Sequence, residues 1–219
     1  MQHFRVPLVV AALLAIGCAP AQPKRDPSGL VLVESWKQGN LFSHPSLSID
    51  DYDDIWLAAI GIQYAEGQKP LAEPDEQSVR KVVYDTVLEK VPIAAQLGVR
   101  QAGPCTLKMG VHLAALALPR PFKGSQNRAS AVVVFELRDS QADEPLVRYG
   151  QRRELARAAR RTEGGLDLEQ LAEALHAALD DVNTAIRDAM PVNATGARAA
   201  QGCKGAIGDV RGQAKSGAR

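Results

Sequence analysis

Two runs of strict alternation constrain this chain more than any other feature. In GPCTLKMGVHLAALAL, Leu107, Met109, Val111 and Leu113 alternate with Lys108, Gly110 and His112. In AVVVFELRDS, Val133, Phe135 and Leu137 fall on one side. A period of two sends successive side chains to opposite faces of an extended strand, so each run predicts a strand with one apolar face. The polar turn SQADEP joins the second run to PLVRYGQRREL, which predicts a β-hairpin. A further strand is predicted in DIWLAAIGI, where Ile55, Leu57 and Ala59 share one face and Trp56, Ala58 and Ile60 the other. A strand apolar on both faces belongs inside a sheet, so a central place is expected for it. The earlier segment GLVLVESW is open between a docked strand and a loop.

Two helices separate these strands. Asp75 is a plausible N-cap followed by Glu76, and Val79, Val83 and Val87 form a stripe joined by Val82 and ended by Pro92. In LDLEQLAEALHAALDDVNTAIRDAM, Leu168, Leu171, Leu175, Leu179, Val182 and Ile186 lie on one helical face, and Pro191 follows. The order β-α-β-β-β-α predicts a single α+β domain: a mainly antiparallel sheet with two helices packed on one face. A chain of 219 residues, 46% apolar, suffices for one such core. A net charge of +1 and an aromatic share of 5% argue against nucleic acid as a partner.

The amino terminus carries a different signal. Val6 to Ile16 is an apolar run of about eleven residues, the length of a signal-peptide core and short of the ~20 a spanning helix needs. It ends in Ala15-Ile16-Gly17-Cys18, which resembles the lipobox of bacterial lipoproteins, with Ala15 where Leu is commoner. That resemblance implies acylation of Cys18, and Ala19 in the next position favours the outer over the inner membrane of a Gram-negative envelope. An ordinary signal peptide cut after Ala19 or Ala21, or an uncleaved anchor, are the alternatives. The expected plan is a leader over residues 1–17, a lipidated tether over 18–28, the domain over 29–190 and a flexible basic tail over 191–219. With Cys18 acylated, Cys105 and Cys203 remain, and in an oxidising compartment they are expected to pair. A metal site or a reactive thiol are the alternatives for them.

The leader, the Tyr52-Asp53 dipeptide opening the first strong strand and the hairpin residues Leu137-Arg138-Asp139-Ser140 resemble a bacterial lipoprotein family, domain-of-unknown-function family 3313. The likeness covers roughly residues 28–190. It implies an envelope lipoprotein of α+β fold and brings no catalytic residues with it.

Few residues carry a chemical motif. Asp50, Asp51, Asp53 and Asp54 form an acidic cluster without the glycine and terminal glutamate of a calcium loop, and are expected to be solvated at a strand entrance. His3, His44, His112 and His176 lack metal-ligand spacing, so no metal or other cofactor is expected. His112 is expected to be exposed or hydrogen-bonded. No nucleophile elbow, P-loop or dinucleotide fingerprint is present. The most suggestive residues are Arg148, Arg152, Arg153, Arg157, Arg160 and Arg161, joined by Lys204, Arg211, Lys215 and Arg219 in the tail. Guanidinium groups match carboxylates and phosphates, so these arginines are candidate contacts for lipopolysaccharide, peptidoglycan or an envelope protein. The competing reading is that they guard an edge strand against pairing. The expectation is a lipid-anchored, periplasm-facing binding or accessory module without enzymatic activity. An enzyme of unrecognised type or a passive structural lipoprotein are the alternatives.

Overall fold

A computed structural model describes residues 23–36, 38–90, 102–119, 128–157, 166–209 and 211. Among them six strands form one sheet: β1 (Val31–Trp36), β2 (Gly39–Ser43), β3 (Asp54–Tyr64), β4 (Thr106–Ala117), β5 (Arg128–Asp139) and β6 (Pro145–Arg157). Their order across the sheet is β1-β2-β6-β5-β4-β3. Every neighbouring pair is antiparallel except β3 with β4. That one parallel pair needs a crossover, supplied by helix α1 (Glu73–Lys90). A second helix, α2 (Leu168–Ala189), follows β6 and packs on both β6 and α1. The α+β class, the mainly antiparallel sheet and the two principal helices are as the sequence predicts.

The core forms where the two periodicities meet. From α1 come Val79, Val83 and Val87, each 1% exposed, and from α2 come Leu171, Leu175, Leu179 and Val182. They join the inward residues Leu107, Val111, Leu113, Val133, Phe135 and Tyr149 of the sheet in one cluster. Each such side chain contributes about 1.5–3 kcal/mol on full burial, which outweighs the weak propensity of β-branched Val79, Val83 and Val87 for helix. The Asp167 side chain caps α2 by accepting from Gln170 N at 3.2 Å. Leu168 is exposed, because it lies in the first turn beyond that cap, and the apolar stripe starts at Leu171. Helix α1 begins at Glu73, ahead of Asp75, with Pro74 in its first turn where no backbone N–H is required.

Three expectations are corrected. Strand β3 lies at an edge, not in the centre. Its register shifts between Leu57 and Ala59, so Ile60 and Ile62 rather than Ala59 continue the inward face. The open segment before it is a strand, β1, and it pairs with β2, a five-residue strand the sequence pattern does not reveal. Strand β2 has only Leu41 and Phe42 as large apolar residues, yet Leu41 is fully buried.

The third correction is the tail. The expected flexible segment folds back as a strap over residues 191–209 and 211, anchored on the start of β3 and the hairpin. Ile207 enters the core at 2% exposure, and its N–H donates to Tyr52 O at 3.0 Å. Cys105 and Cys203 are joined in a disulfide across 98 residues. The leader, with Cys18, lies outside the described residues. No helix among the described residues is long and apolar enough to cross a membrane.

Candidate functional site

The acidic cluster is not a solvated entrance. Asp50 and Asp51 are buried at 0% and 5% exposure in the short 3-10 turn Ile49–Asp51. Their carboxylates accept backbone N–H groups of the strap, an alternative to water for anions that burial would otherwise destabilise. Asp50 accepts from Asn193 N at 3.0 Å and from the Arg211 guanidinium at 2.5 Å. Asp51 accepts from Thr195 N at 2.6 Å and Gly196 N at 2.8 Å. Asp53 accepts from Lys204 N at 2.8 Å and Ala206 N at 3.1 Å. Arg211 also donates to Met190 O at 2.6 Å, satisfying a carbonyl at the end of α2. The tail residue Arg211 is therefore consumed by the fold, and Lys204 contributes its backbone; Lys215 and Arg219 lie outside the described residues.

Beside this sits a second buried polar group. Tyr52 donates to Asp139 Oδ2 at 2.8 Å, and Arg198 from the strap pairs with the same oxygen while its guanidinium stacks 4.4 Å from the Tyr52 ring centre. Asp139 Oδ1 accepts from Gln141 N and Ala142 N, both at 2.7 Å, closing the turn of the hairpin. Burial pushes the Tyr52 hydroxyl up, and the hydrogen bond to Asp139 pushes it further. Burial alone raises Asp139, but Ala142 N, Tyr52, Gln141 N and the Arg198 charge outweigh it and hold the carboxyl low. These groups are satisfied by one another, which is the arrangement of a structural latch.

The arginines predicted as one cluster divide between the two faces of the sheet. On the face away from the helices lie Arg148 and Arg152, four residues apart on β6. Arg148 is doubly paired, with Asp26 at 2.5 Å and Glu136 at 2.7 Å. Arg152 has no ion pair among the described residues. Arg153 points to the helix side, where it pairs with Asp181 of α2 and donates to Gln151 Oε1 at 2.7 Å. The buried Tyr149 hydroxyl, which burial pushes up, donates to the same oxygen. Arg157 is exposed at the end of β6, opposite Arg128. Arg160 and Arg161 lie outside the described residues. The edge-guarding reading does not hold for Arg148, because β6 runs between β5 and β2 and Arg148 pairs with Phe42 in the ladder.

Arg148 and Arg152 bracket a groove of about 560 Å³ on that outer face. Val132, Val134 and Gly150 form its floor, and Phe42 and Asn40 of β2 form one wall. Gly150 lowers the floor, since a side chain there would stand between the two valines. The Asn40 amide oxygen accepts from Ser35 Oγ at 2.8 Å, which orients the amide at the rim. The groove thus offers an apolar base, an amide and a guanidinium, a set suited to an anionic amphiphilic group. Further along the same face, His112 occupies the space beside Gly61 and Gly110, neither of which has a side chain to exclude it. Its ring is partly covered rather than free in solvent.

Periodicity could not find this groove, because its wall comes from β2 and the arginine at its end is held by Asp26, both brought in from outside the recognised strands. No family model matches the chain, and no curated protein matches it by sequence. Among solved structures, the PelC dodecamer from Paraburkholderia phytofirmans is similar at 14% identity and a TM-score of 0.33, over 64% of this chain and 93% of that one. A point variant of the same protein, also a dodecamer, is similar at 14% identity and a TM-score of 0.34, over 64% and 92%. The likeness is loose, and neither ligand nor assembly is carried over from PelC to this chain.

Proposed function

We propose that this chain is a lipid-anchored module of the bacterial envelope, held by acylated Cys18 in the outer membrane and facing the periplasm. The observation that carries this reading is the disulfide between Cys105 and Cys203. It is the chemistry of an oxidising compartment, and it leaves Cys18 as the one cysteine of three outside the pair, at the end of an apolar leader. In this reading the module binds rather than catalyses. The buried titratable groups Tyr52 and Asp139 are engaged with each other and with Arg198, while the groove is lined by apolar, amide and guanidinium groups. The proposal includes kinship with the lipoproteins of domain-of-unknown-function family 3313. Its support is that Tyr52 and Asp139, from the two motifs that resemble that family, meet in one hydrogen bond.

The test is labelling of cells with an alkyne analogue of palmitate, followed by separation of inner and outer membranes. The chain is expected to take up label and fractionate with the outer membrane, and Cys18→Ser is expected to lose both. Label-free protein in the periplasmic fraction would overturn the anchor. Copurification from detergent-extracted envelopes, comparing the intact chain with Arg152→Glu, tests whether an anionic component depends on the groove.

A further inference from the structure

The start of the described chain is fixed to one end of the groove through Arg148. Lys24 O accepts from Leu32 N at 2.8 Å, and Arg25 bridges to Val31. Asp26 then turns the chain, accepting from Ser28 N at 2.9 Å and Leu30 N at 3.0 Å through one oxygen. Its other oxygen holds Arg148 at 2.5 Å, with the Asp26 side chain only 6% exposed. Residues expected to be a loose tether are therefore fixed to one end of the groove as far as Lys24.

From Pro23 back to Cys18 is five residues, which at full extension reach no more than about 18 Å. Strand β6 alone has 13 residues, a length of roughly 43 Å at 3.3 Å each. An acyl chain on Cys18 can thus bring to a bilayer only the part of the molecule near Pro23, and the Asp26–Arg148 pair joins that part to one end of the groove. The nearest cations are Lys24 and Arg25 at the tether itself, with Arg152 at the other end of the groove, four residues beyond Arg148 on β6; none of the three has a carboxylate within ion-pair distance among the described residues. Arg25 donates to Gly29 O at 3.0 Å, and Arg148 is neutralised by Asp26 and Glu136. Glu34 on β1 is the opposing exposed charge.

We infer that the groove faces the membrane in which the chain is anchored, with Arg152 receiving the phosphate of an anionic phospholipid headgroup. The inference rests on the anchor at Cys18. Val132, Val134 and Phe42 take the glycerol and upper acyl carbons, and the guanidinium takes the phosphodiester, so the headgroup is matched at both ends. The short tether makes this contact effectively intramolecular, which raises its occupancy without a tight intrinsic site.

The test uses the full acylated chain, purified in detergent and reconstituted into phosphatidylcholine vesicles with or without phosphatidylglycerol. A fluorescent dye is placed at Gln38→Cys on the groove rim, or at Lys81→Cys on the exposed side of α1. Phospholipids spin-labelled in the headgroup serve as quenchers. Stronger quenching is expected at the rim than at α1, increased by phosphatidylglycerol. Arg152→Gln is expected to lower the docked-to-free ratio about fivefold, the effect of one basic residue at an anionic surface. Equal quenching at both positions, or no response to phosphatidylglycerol, overturns the inference. Loss of rim quenching on adding millimolar glycerol phosphate also overturns it, by showing a site for free phosphate rather than for the membrane. The protein's mass separates the two readings. An unacylated chain overturns the anchor and the inference together, whereas an acylated chain with equal quenching overturns the inference alone.

Discussion

At the scale of single residues, Asp139 carries the most. It joins the Tyr52 hydroxyl, the Arg198 guanidinium and two backbone N–H groups in a space 1% exposed. Asp139→Ala leaves all four donors without their acceptor, and is expected to cost about 3–5 kcal/mol in urea denaturation. The pH dependence follows from the same contacts. The folded carboxyl is held below its unfolded value of about 3.9, so its stabilisation is present above that pH and is lost as pH falls through the folded value. Acid titration by circular dichroism should show stability declining below about pH 4, with a shallower decline in the Asp139→Ala variant. Gly61 offers a second test. A Cβ there would collide with His112 Nδ1, so Gly61→Ala forces the ring to move. The expected cost is about 1–3 kcal/mol, recovered when His112→Ala is added. If the double variant is no more stable than Gly61→Ala alone, the ring is not the obstacle.

At the scale of elements, the strap changes what the sheet's end is. Tyr52, Ile49 and Met190 lie in the core with Ile207 from the strap, and buried Asp50 is neutralised by Arg211. The disulfide keeps these contacts local by closing a loop of 98 residues, worth up to about 4.7 kcal/mol in the chain-entropy model. Cys203→Ser is expected to lower stability by about 2–5 kcal/mol, and reductant should lower the melting temperature of the native chain but not of the variant. Ending the chain at residue 190 removes the disulfide and also uncovers Asp50 and Asp51, so it should cost more than Cys203→Ser. Equal loss in the two would mean that the disulfide, not the carboxylate contacts, holds the strap. Strand β3 is the complementary case. Its apolar residues on both faces suit a central strand, but the register shift after Leu57 and the packing of α1 allow them at an edge.

At the scale of the whole molecule, one end of the sheet receives the tether and a separate set of contacts receives the tail. The tether contact can be tested alone. Arg148→Met breaks the pair with Asp26, and trypsin cleavage after Lys24 and Arg25 is expected to accelerate while the rest of the domain stays resistant. An unchanged cleavage rate would show that the backbone bonds of Lys24 and Arg25 hold the tether unaided. Alternation was enough to predict β4 and the β5–β6 hairpin, and a helical stripe was enough for α1 and α2, because both patterns are local consequences of backbone geometry. The leader ending at Cys18 is an expectation of the same local kind, resting on hydrophobic length and small residues, and it lies outside the described residues. Sequence alone also brought forward Cys105 and Cys203, through compartment chemistry rather than geometry. What it could not decide is which elements meet. Strand order, the role of the aspartates and the division of the arginines between two faces all depend on contacts between residues far apart in the chain. Asp50 and Asn193 are 143 residues apart, as are no two positions that a periodic pattern relates. Only the folded chain brings Arg152, Phe42 and Val132 into one groove, because a groove is made by surfaces that separate segments present to each other.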